Sequence, residues 1–444
     1  MSVKQFLKSD FLKNSGKLFG SFGIAQLISF LLVPVLSRLY PAELHGEMEI
    51  FLQILAIGGA VITLKYDQAI MIAKSRSEAK SVLVLSLAIN LAWTFISLLI
   101  ILVFDGFIAR ALRFSDIPNW FYLIPGALFL LGCTNTLMVW WNRERAYNRL
   151  GSNRIAGAAV GGGYKLAHAL RSISGNGLIV GHVVGLAIST LLFIPIRAAR
   201  ILDFDVTELK TVAKKFKSFP LWATPGSLVN VIGSALPVLA ITFFFDKSTT
   251  GYFSNATKLT FVPLSAISFS MSQVLYERLA RLRDKEERFG LSTNTLQFLF
   301  FIALLPVVVI TVWGDILVPL ILGEGWETAG LMAQVMVIFY FVMYLTSPFA
   351  VAYEVYSRLN VQFMFTGLFA LLTAVALVVS FKISDNVFVG LSTFCLTGII
   401  IRLAMLASCF KLIGKAILTK VFYGVLIIAG AVLLGFAVRY YLFG

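Results

Sequence analysis

Residues 251–290, "GYFSNATKLTFVPLSAISFSMSQVLYERLARLRDKEERFG", decide the fold class. Apolar and small residues dominate 251–275, and the run then breaks into a dense block of Glu, Arg, Lys and Asp. About 20 such residues in a helix cross ~30 Å of hydrocarbon, and a charge block marks where the chain regains water. One cation, Lys258, interrupts the greasy part. Its presence there is the question from which function can be read.

The same pattern recurs along the chain. Of 444 residues, 59% are hydrophobic and only 13% charged, with a mean hydropathy of +0.88. A soluble protein of this size could not cover such an apolar surface. The roughly ten-residue alternating segments of a membrane β-barrel are not found. The sequence therefore predicts an all-α, polytopic membrane protein of 12–13 transmembrane helices. Spans are placed near 17–38, 44–64, 81–104, 117–140, 155–171, 175–196, 219–245, 250–275, 291–313, 328–351, 361–381, 387–410 and 418–441. The fifth, "IAGAAVGGGYKLAHALRSI", is Gly- and Ala-rich and is expected to pack closely against another helix. A phosphate-loop reading of its "GAAVGGGYK" fails, because G-x4-GK[ST] is absent and no strand precedes it.

The first apolar run follows Lys4, Lys8, Lys13 and Lys17. It is longer than a signal-peptide core and no A-x-A site follows it, so it reads as a retained span. With the N-terminus cytoplasmic, most of the 37 Lys and Arg fall in loops on that side. The positive-inside rule thus accounts for the net charge of +15, without nucleic acid as a partner. The segments 197–218 and 277–290 are expected in the cytoplasm, and 105–116 and 314–327 outside. Cys133, Cys395 and Cys409 lack metal-ligand spacing and read as small core residues. No metal site is predicted.

"DVTELKTVAKKFKSFP", between spans six and seven, reads as an amphipathic interfacial helix. Asp205 and Glu208 resemble a capping box, and Val206, Leu209, Val212, Phe216 and Phe219 share a face. Lys210, Lys214, Lys215 and Lys217 suit anionic lipids as partners. The N-terminal "SVKQFLKSDFLKN" reads similarly. The expected domains are an N-terminal lobe at 1–200, this linker at 201–218, a C-terminal lobe at 219–412 and an extra span at 413–444. The lobes share an echo: Pro34 and Pro237, an aromatic end, a polar turn, then Gly46 and Gly251. Both halves start on the same side, so the repeat is parallel.

Catalysis finds little support. The outward loops are short, and the three histidines (His45, His168, His182) form no HExxH-type spacing. A carrier, not an enzyme, is the expectation. Ionisable residues inside spans are functional candidates by default. Lys258 lies about eight residues from one end of its span, with Asn255 one turn before it. It either faces a hydrated cavity or snorkels to the interface. Lys165 and His168, with Arg171 at the span end, would make a second cationic strip if their face lines a cavity. Arg402 sits deep in span twelve, where a helix–helix bond would explain it equally well. Gln53 aligns with Lys258 through the repeat. Glu49, Asp67 and Glu354 are the candidate coupling or gating carboxylates. The cationic balance favours an anionic cargo, and phosphate is the obvious anion in a membrane.

"FLLVPVLSRLYPAELHGEMEIFLQI", "LKYDQAIMIAKS" and "GYFSNATKLTFVPLSAISFSMSQVLYERLA" resemble the Wzx-type polysaccharide flippases of the multidrug/oligosaccharidyl-lipid/polysaccharide exporter superfamily. The resemblance implies two six-helix lobes forming a V-shaped central cavity. It implies transfer of undecaprenyl-pyrophosphate-linked oligosaccharide from the cytoplasmic to the periplasmic leaflet of the bacterial inner membrane. Lys258 matches the family's span-eight basic residue, and Tyr66, Asp67 and Ala69 its Tyr-acidic-x-Ala motif. Substrate-binding residues are then Lys258, Asn255, Lys165, His168, Arg402 and Gln53. Tyr252, Tyr340, Tyr344 and Trp140 either line the glycan path or fill the core. The thirteenth span departs from the usual twelve. No cofactor is expected beyond coupling to H+ or Na+. Expected partners are the lipid-linked glycan, a polysaccharide polymerase and a chain-length regulator. A lipid II-type flippase and a multidrug antiporter share the fold, and a membrane glycan polymerase is the rival outside the transporter class.

Overall fold

The computed structural model describes residues 10–111, 118–194, 206–414 and 418–443. A long helix covers every predicted span: α1 (Asp10–Leu39), α2 (Ala42–Val61), α3 (Arg76–Ala111), α4 (Ile124–Arg143), α5 (Tyr147–Leu170), α6 (Gly177–Phe193), α7 (Thr224–Phe244), α8 (Lys247–Arg281), α9 (Lys285–Leu322), α10 (Glu327–Thr346), α11 (Leu359–Ile383), α12 (Val387–Ile413) and α13 (Leu418–Phe443). Among the described residues, nine helices are long and apolar enough to cross a membrane, and Ile24–Leu39, Gly177–Phe193 and Leu426–Tyr441 are shorter apolar helices. The remaining helix is the Gly-rich α5. No strand occurs among the described residues.

Helix starts follow from side-chain chemistry. Asn176 caps α6 by accepting from the amides of Leu178 and Ile179, and Asn386 caps α12 through Phe388 N–H. Asp246 and Asp284 cap α8 and α9 in the same way. Each cap satisfies amides that the first helical turn leaves without partners. The α9 helix holds 38 residues, about 57 Å at the helical rise, so it exceeds the hydrocarbon thickness. The expected loop at 314–327 is correspondingly shorter, because 314–322 continue α9.

The chain divides into two compact units, Met1–Ala235 and Leu236–Gly444. The division falls inside α7 instead of at the predicted linker. In the first unit, the linker helix Val206–Lys215 and the turn after it bury Val212 and Phe216 in a cluster with Tyr66, Val82, Leu83 and Trp140. The Tyr66 hydroxyl donates to Ala213 O at 3.0 Å. Lys215 pairs with Glu78, and Ser81 donates to Glu208 at 2.7 Å. The apolar face of the amphipathic segment thus packs on protein. Asp205 and the N-terminal "SVKQFLKS" lie outside the described residues. The last turns of α7 belong to the second unit. Phe244 packs 5.6 Å from the Phe381 ring, and Thr242 and Thr250 hydroxyls bond at 3.0 Å.

In the first unit the closest helix contact is α5 with α6, which is why α5 carries so many glycines. A Cβ on Gly161 would approach Gly181 O to 2.8 Å, and one on Gly185 would approach Gly157 O to 2.9 Å. Backbones this close exclude larger residues. In the second unit α10 is the hub: Met332, Ala333, Met336, Phe341 and Tyr344 are almost fully buried. Cys133, Cys395 and Cys409 are buried, free thiols.

The repeat holds in register. Gly46 and Gly251 are each the fifth residue of their helix, α2 and α8, and Gln53 and Lys258 each the twelfth. The sixth residues each meet a tryptophan: Trp120 donates to Glu47 at 3.1 Å, and Tyr252 packs edge-on against Trp326.

Candidate functional site

The deep cation of the second unit stands on α8, with Asp246 fixing the helix start. Eleven residues separate Lys258 from that start, about 16 Å along the axis. Its side chain is half-buried, and Nζ donates to Asn255 Oδ1 at 3.5 Å, the long limit of a hydrogen bond. Asn255 is fully buried. One residue away, the Thr257 hydroxyl bonds Tyr340 Oη at 3.0 Å, and Phe261 packs 5.0 Å from the Tyr340 ring. Lysine, asparagine, threonine and tyrosine thus gather along one stretch of α8 and the facing part of α10. Such a group can hold an anion by its ammonium and orient neutral polar atoms beside it.

Arg402, on α12, is separately held. Its guanidinium lies over the Phe369 ring at 5.0 Å, and its buried Nε has no hydrogen-bond partner among the described residues. This is a cation–π contact between helices, the structural alternative weighed for this residue.

In the first unit the expected cationic strip is not continuous. Lys165 is half-buried, with its aliphatic stem over Gly181. His168 is only 4% exposed and turns to Tyr40, whose hydroxyl lies 3.4 Å from Nδ1 and donates to Lys165 O at 2.7 Å. Arg171 is exposed at the helix end. Burial against the two tyrosines, Tyr40 and Tyr164, makes His168 part of the core. Gln53, the repeat partner of Lys258, donates to Glu49 at 2.7 Å.

Of the acidic candidates, Asp67 accepts from the Thr63 hydroxyl at 2.6 Å, and Glu354 is exposed in the short helix Val351–Val355. Two other groups have partners that the sequence reading did not supply. Glu47 is buried and accepts from Trp120 and from Asn176, at 3.2 Å. Arg143 donates to the carbonyls of Ile70 and Ala73 at 2.7 and 2.8 Å, which pins the turn after the Tyr66–Ala69 helix. Neither set is linked by local spacing, so no sequence signal joins them. Among the suggested glycan aromatics, Trp140, Tyr340 and Tyr344 are buried and Tyr252 packs on Trp326.

Residues 35–331 match the family of polysaccharide biosynthesis proteins. The chain belongs to this family. A 191-residue stretch, 42% of the chain, is 22% identical to the lipopolysaccharide biosynthesis protein WzxC of Escherichia coli strain K12 and spans only 38% of that protein. The fold is similar to an inward-facing multidrug resistance MATE family transporter of the MOP superfamily. The TM-score is 0.68 and the identity 14%, over 92% of this chain and 94% of that one. It is also similar to the lipid II flippase MurJ in an inward closed conformation, with a TM-score of 0.64 and 13% identity over 97% and 99% of the two chains. At such identities the structures establish a shared fold alone.

Proposed function

We propose that this polysaccharide biosynthesis protein is a flippase. It moves undecaprenyl-pyrophosphate-linked oligosaccharide from the cytoplasmic to the periplasmic leaflet of the bacterial inner membrane, with its N-terminus cytoplasmic. The observation that carries the proposal is Lys258, a half-buried ammonium more than ten residues inside an apolar helix. A pyrophosphate crossing the bilayer needs a counter-charge at such depth, and a lysine there is expensive without a purpose. Family membership supports the glycan as the cargo class. Alternating access of two lobes around a V-shaped cavity is the mechanism proposed, with transport instead of catalysis. Proton or sodium coupling belongs to the same proposal. Glu49 and Asp67 are its carboxylates, since each combines partial burial with a polar neighbour.

The test is analysis of lipid-linked glycans in a deletion strain. The undecaprenyl-linked unit should still be made and should accumulate facing the cytoplasm, with surface polysaccharide lost. Normal surface glycan with raised sensitivity to cationic drugs would instead mark a multidrug antiporter. A unit that reaches the periplasm but is never lengthened would mark a polymerase.

A further inference from the structure

The second unit contains a cavity of about 240 Å³ that the anion argument does not use. Four of its seven lining residues are serines: Ser265, Ser268 and Ser272 on α8, and Ser347 just past α10. Phe261, Phe269 and Tyr344 complete it. The α8 residues fall three, seven, ten, eleven and fourteen positions after Lys258. That spacing keeps them on one stripe of the helix, continuous with the lysine.

The polarity of this lining is directional. Ser265 donates to Val262 O at 2.8 Å, Ser268 to Tyr344 O at 3.1 Å and Ser347 to Met343 O at 2.7 Å. A hydroxyl has one proton and two lone pairs. With their protons committed to backbone carbonyls, these three serines offer the cavity acceptors, and the Ser272 hydroxyl can donate as well as accept. Tyr344, 1% exposed, lines the cavity too, but its hydroxyl oxygen is too deeply buried to reach the cavity surface.

A phosphate presents only acceptors and carries charge, so it would meet lone pairs at three of the four serines and no cation in the lining. A prenyl chain would leave hydroxyls facing hydrocarbon. The second unit has a separate cavity of about 550 Å³, lined by residues such as Leu296, Phe300, Phe341 and Ile428, that suits apolar chains better. The lining instead matches a neutral molecule rich in hydroxyl donors with apolar C–H faces for the phenylalanine rings. We infer that the cavity bounded by Ser265, Ser268, Ser272, Ser347 and Tyr344 is a subsite for one sugar ring of the cargo, adjoining the pyrophosphate site at Lys258. This rests on the proposed glycan transport and adds a division of labour: charge at Lys258, hydroxyl recognition along the stripe beyond it.

The division can be tested with the full chain in nanodiscs and two probes, undecaprenyl pyrophosphate and undecaprenyl pyrophosphoryl hexose. The Ser265→Ala/Ser272→Ala variant should bind the hexose probe roughly 5- to 150-fold more weakly, as expected for losing two ordinary hydrogen bonds. It should bind the bare carrier as the parent does, which also shows that it is folded. Ser265→Thr/Ser272→Thr, which keeps the hydroxyls, should restore most of the hexose affinity. Lys258→Ala should weaken both probes by the same factor. Equal affinity of parent and double alanine variant for the hexose probe would overturn the subsite, as would an equal loss for both probes. If Lys258→Ala changes neither probe while the serine variant still discriminates, the pyrophosphate assignment fails and the sugar subsite stands.

Discussion

Lys258→Ala removes one ammonium from the twelfth position of α8 and leaves a residue the helix prefers. Its consequences for binding and for folding should diverge. A charge-assisted hydrogen bond to a pyrophosphate contributes about 1.5–3 kcal/mol. At about 1.4 kcal/mol per factor of ten, its loss weakens binding of undecaprenyl pyrophosphate roughly 10- to 150-fold. On the folding side, the bond to Asn255 is 3.5 Å long, so its loss removes at most about 0.5 kcal/mol. Placing lysine at mid-helix disfavours insertion by about 2.5–3.5 kcal/mol, which alanine relieves. Export should therefore collapse while the thermal midpoint of the detergent-solubilised protein stays level or rises. Lys258→Arg keeps the charge with a wider, planar head, and should retain part of the export. The assay pairs surface polysaccharide in a complemented deletion strain with fluorescence-detected size exclusion after heating. Full export by Lys258→Ala would refute the counter-charge argument and leave the lysine as a snorkelling residue. Lost export with a lowered thermal midpoint would place it in the fold.

Gly161→Val should destabilise the first unit by about 1–3 kcal/mol, read as a lower thermal midpoint, because its Cβ would meet the Gly181 carbonyl oxygen at 2.8 Å and a backbone atom cannot swing aside. Arg143→Ala should free the turn at 70–75, at a loss of about 2–4 kcal/mol for several charged hydrogen bonds, and limited proteolysis there should accelerate. Arg439 pairs with Asp315 through two bonds of 2.8–2.9 Å and ties α13 to α9, but both side chains are about a quarter exposed. Arg439→Ala should therefore shift stability by only about 1 kcal/mol, and Asp315→Asn should add little to it in the double variant. Reporter fusions in the turn at 282–284 should lie in the cytoplasm, and a periplasmic signal would invert every depth assigned to Lys258.

Hydropathy located twelve of the thirteen long helices among the described residues, all but the Gly-rich α5, because a membrane span must hydrogen-bond its own backbone and be apolar over a fixed length. Glycines at 157 and 161 announced a close helix contact for a similarly local reason, since only a missing side chain permits it. The parallel repeat was legible through Gly46 and Gly251, and it paired Gln53 with Lys258 before any coordinates. The serine stripe was also visible in principle, as a helical period at 265, 268 and 272, but spacing cannot say that Ser347 and Tyr344 close a cavity around it. Tertiary structure decided what the polar residues touch. His168 has the spacing of a ligand residue, yet Tyr40, more than a hundred positions away, draws it into the core. Glu47 looks like an edge carboxylate until Trp120 and Asn176 converge on it. The linker's apolar face was certain from its period, and whether lipid or protein would cover it was not. Periodicity fixes which residues share a face, whereas the partner of that face depends on chain brought back from far along the sequence.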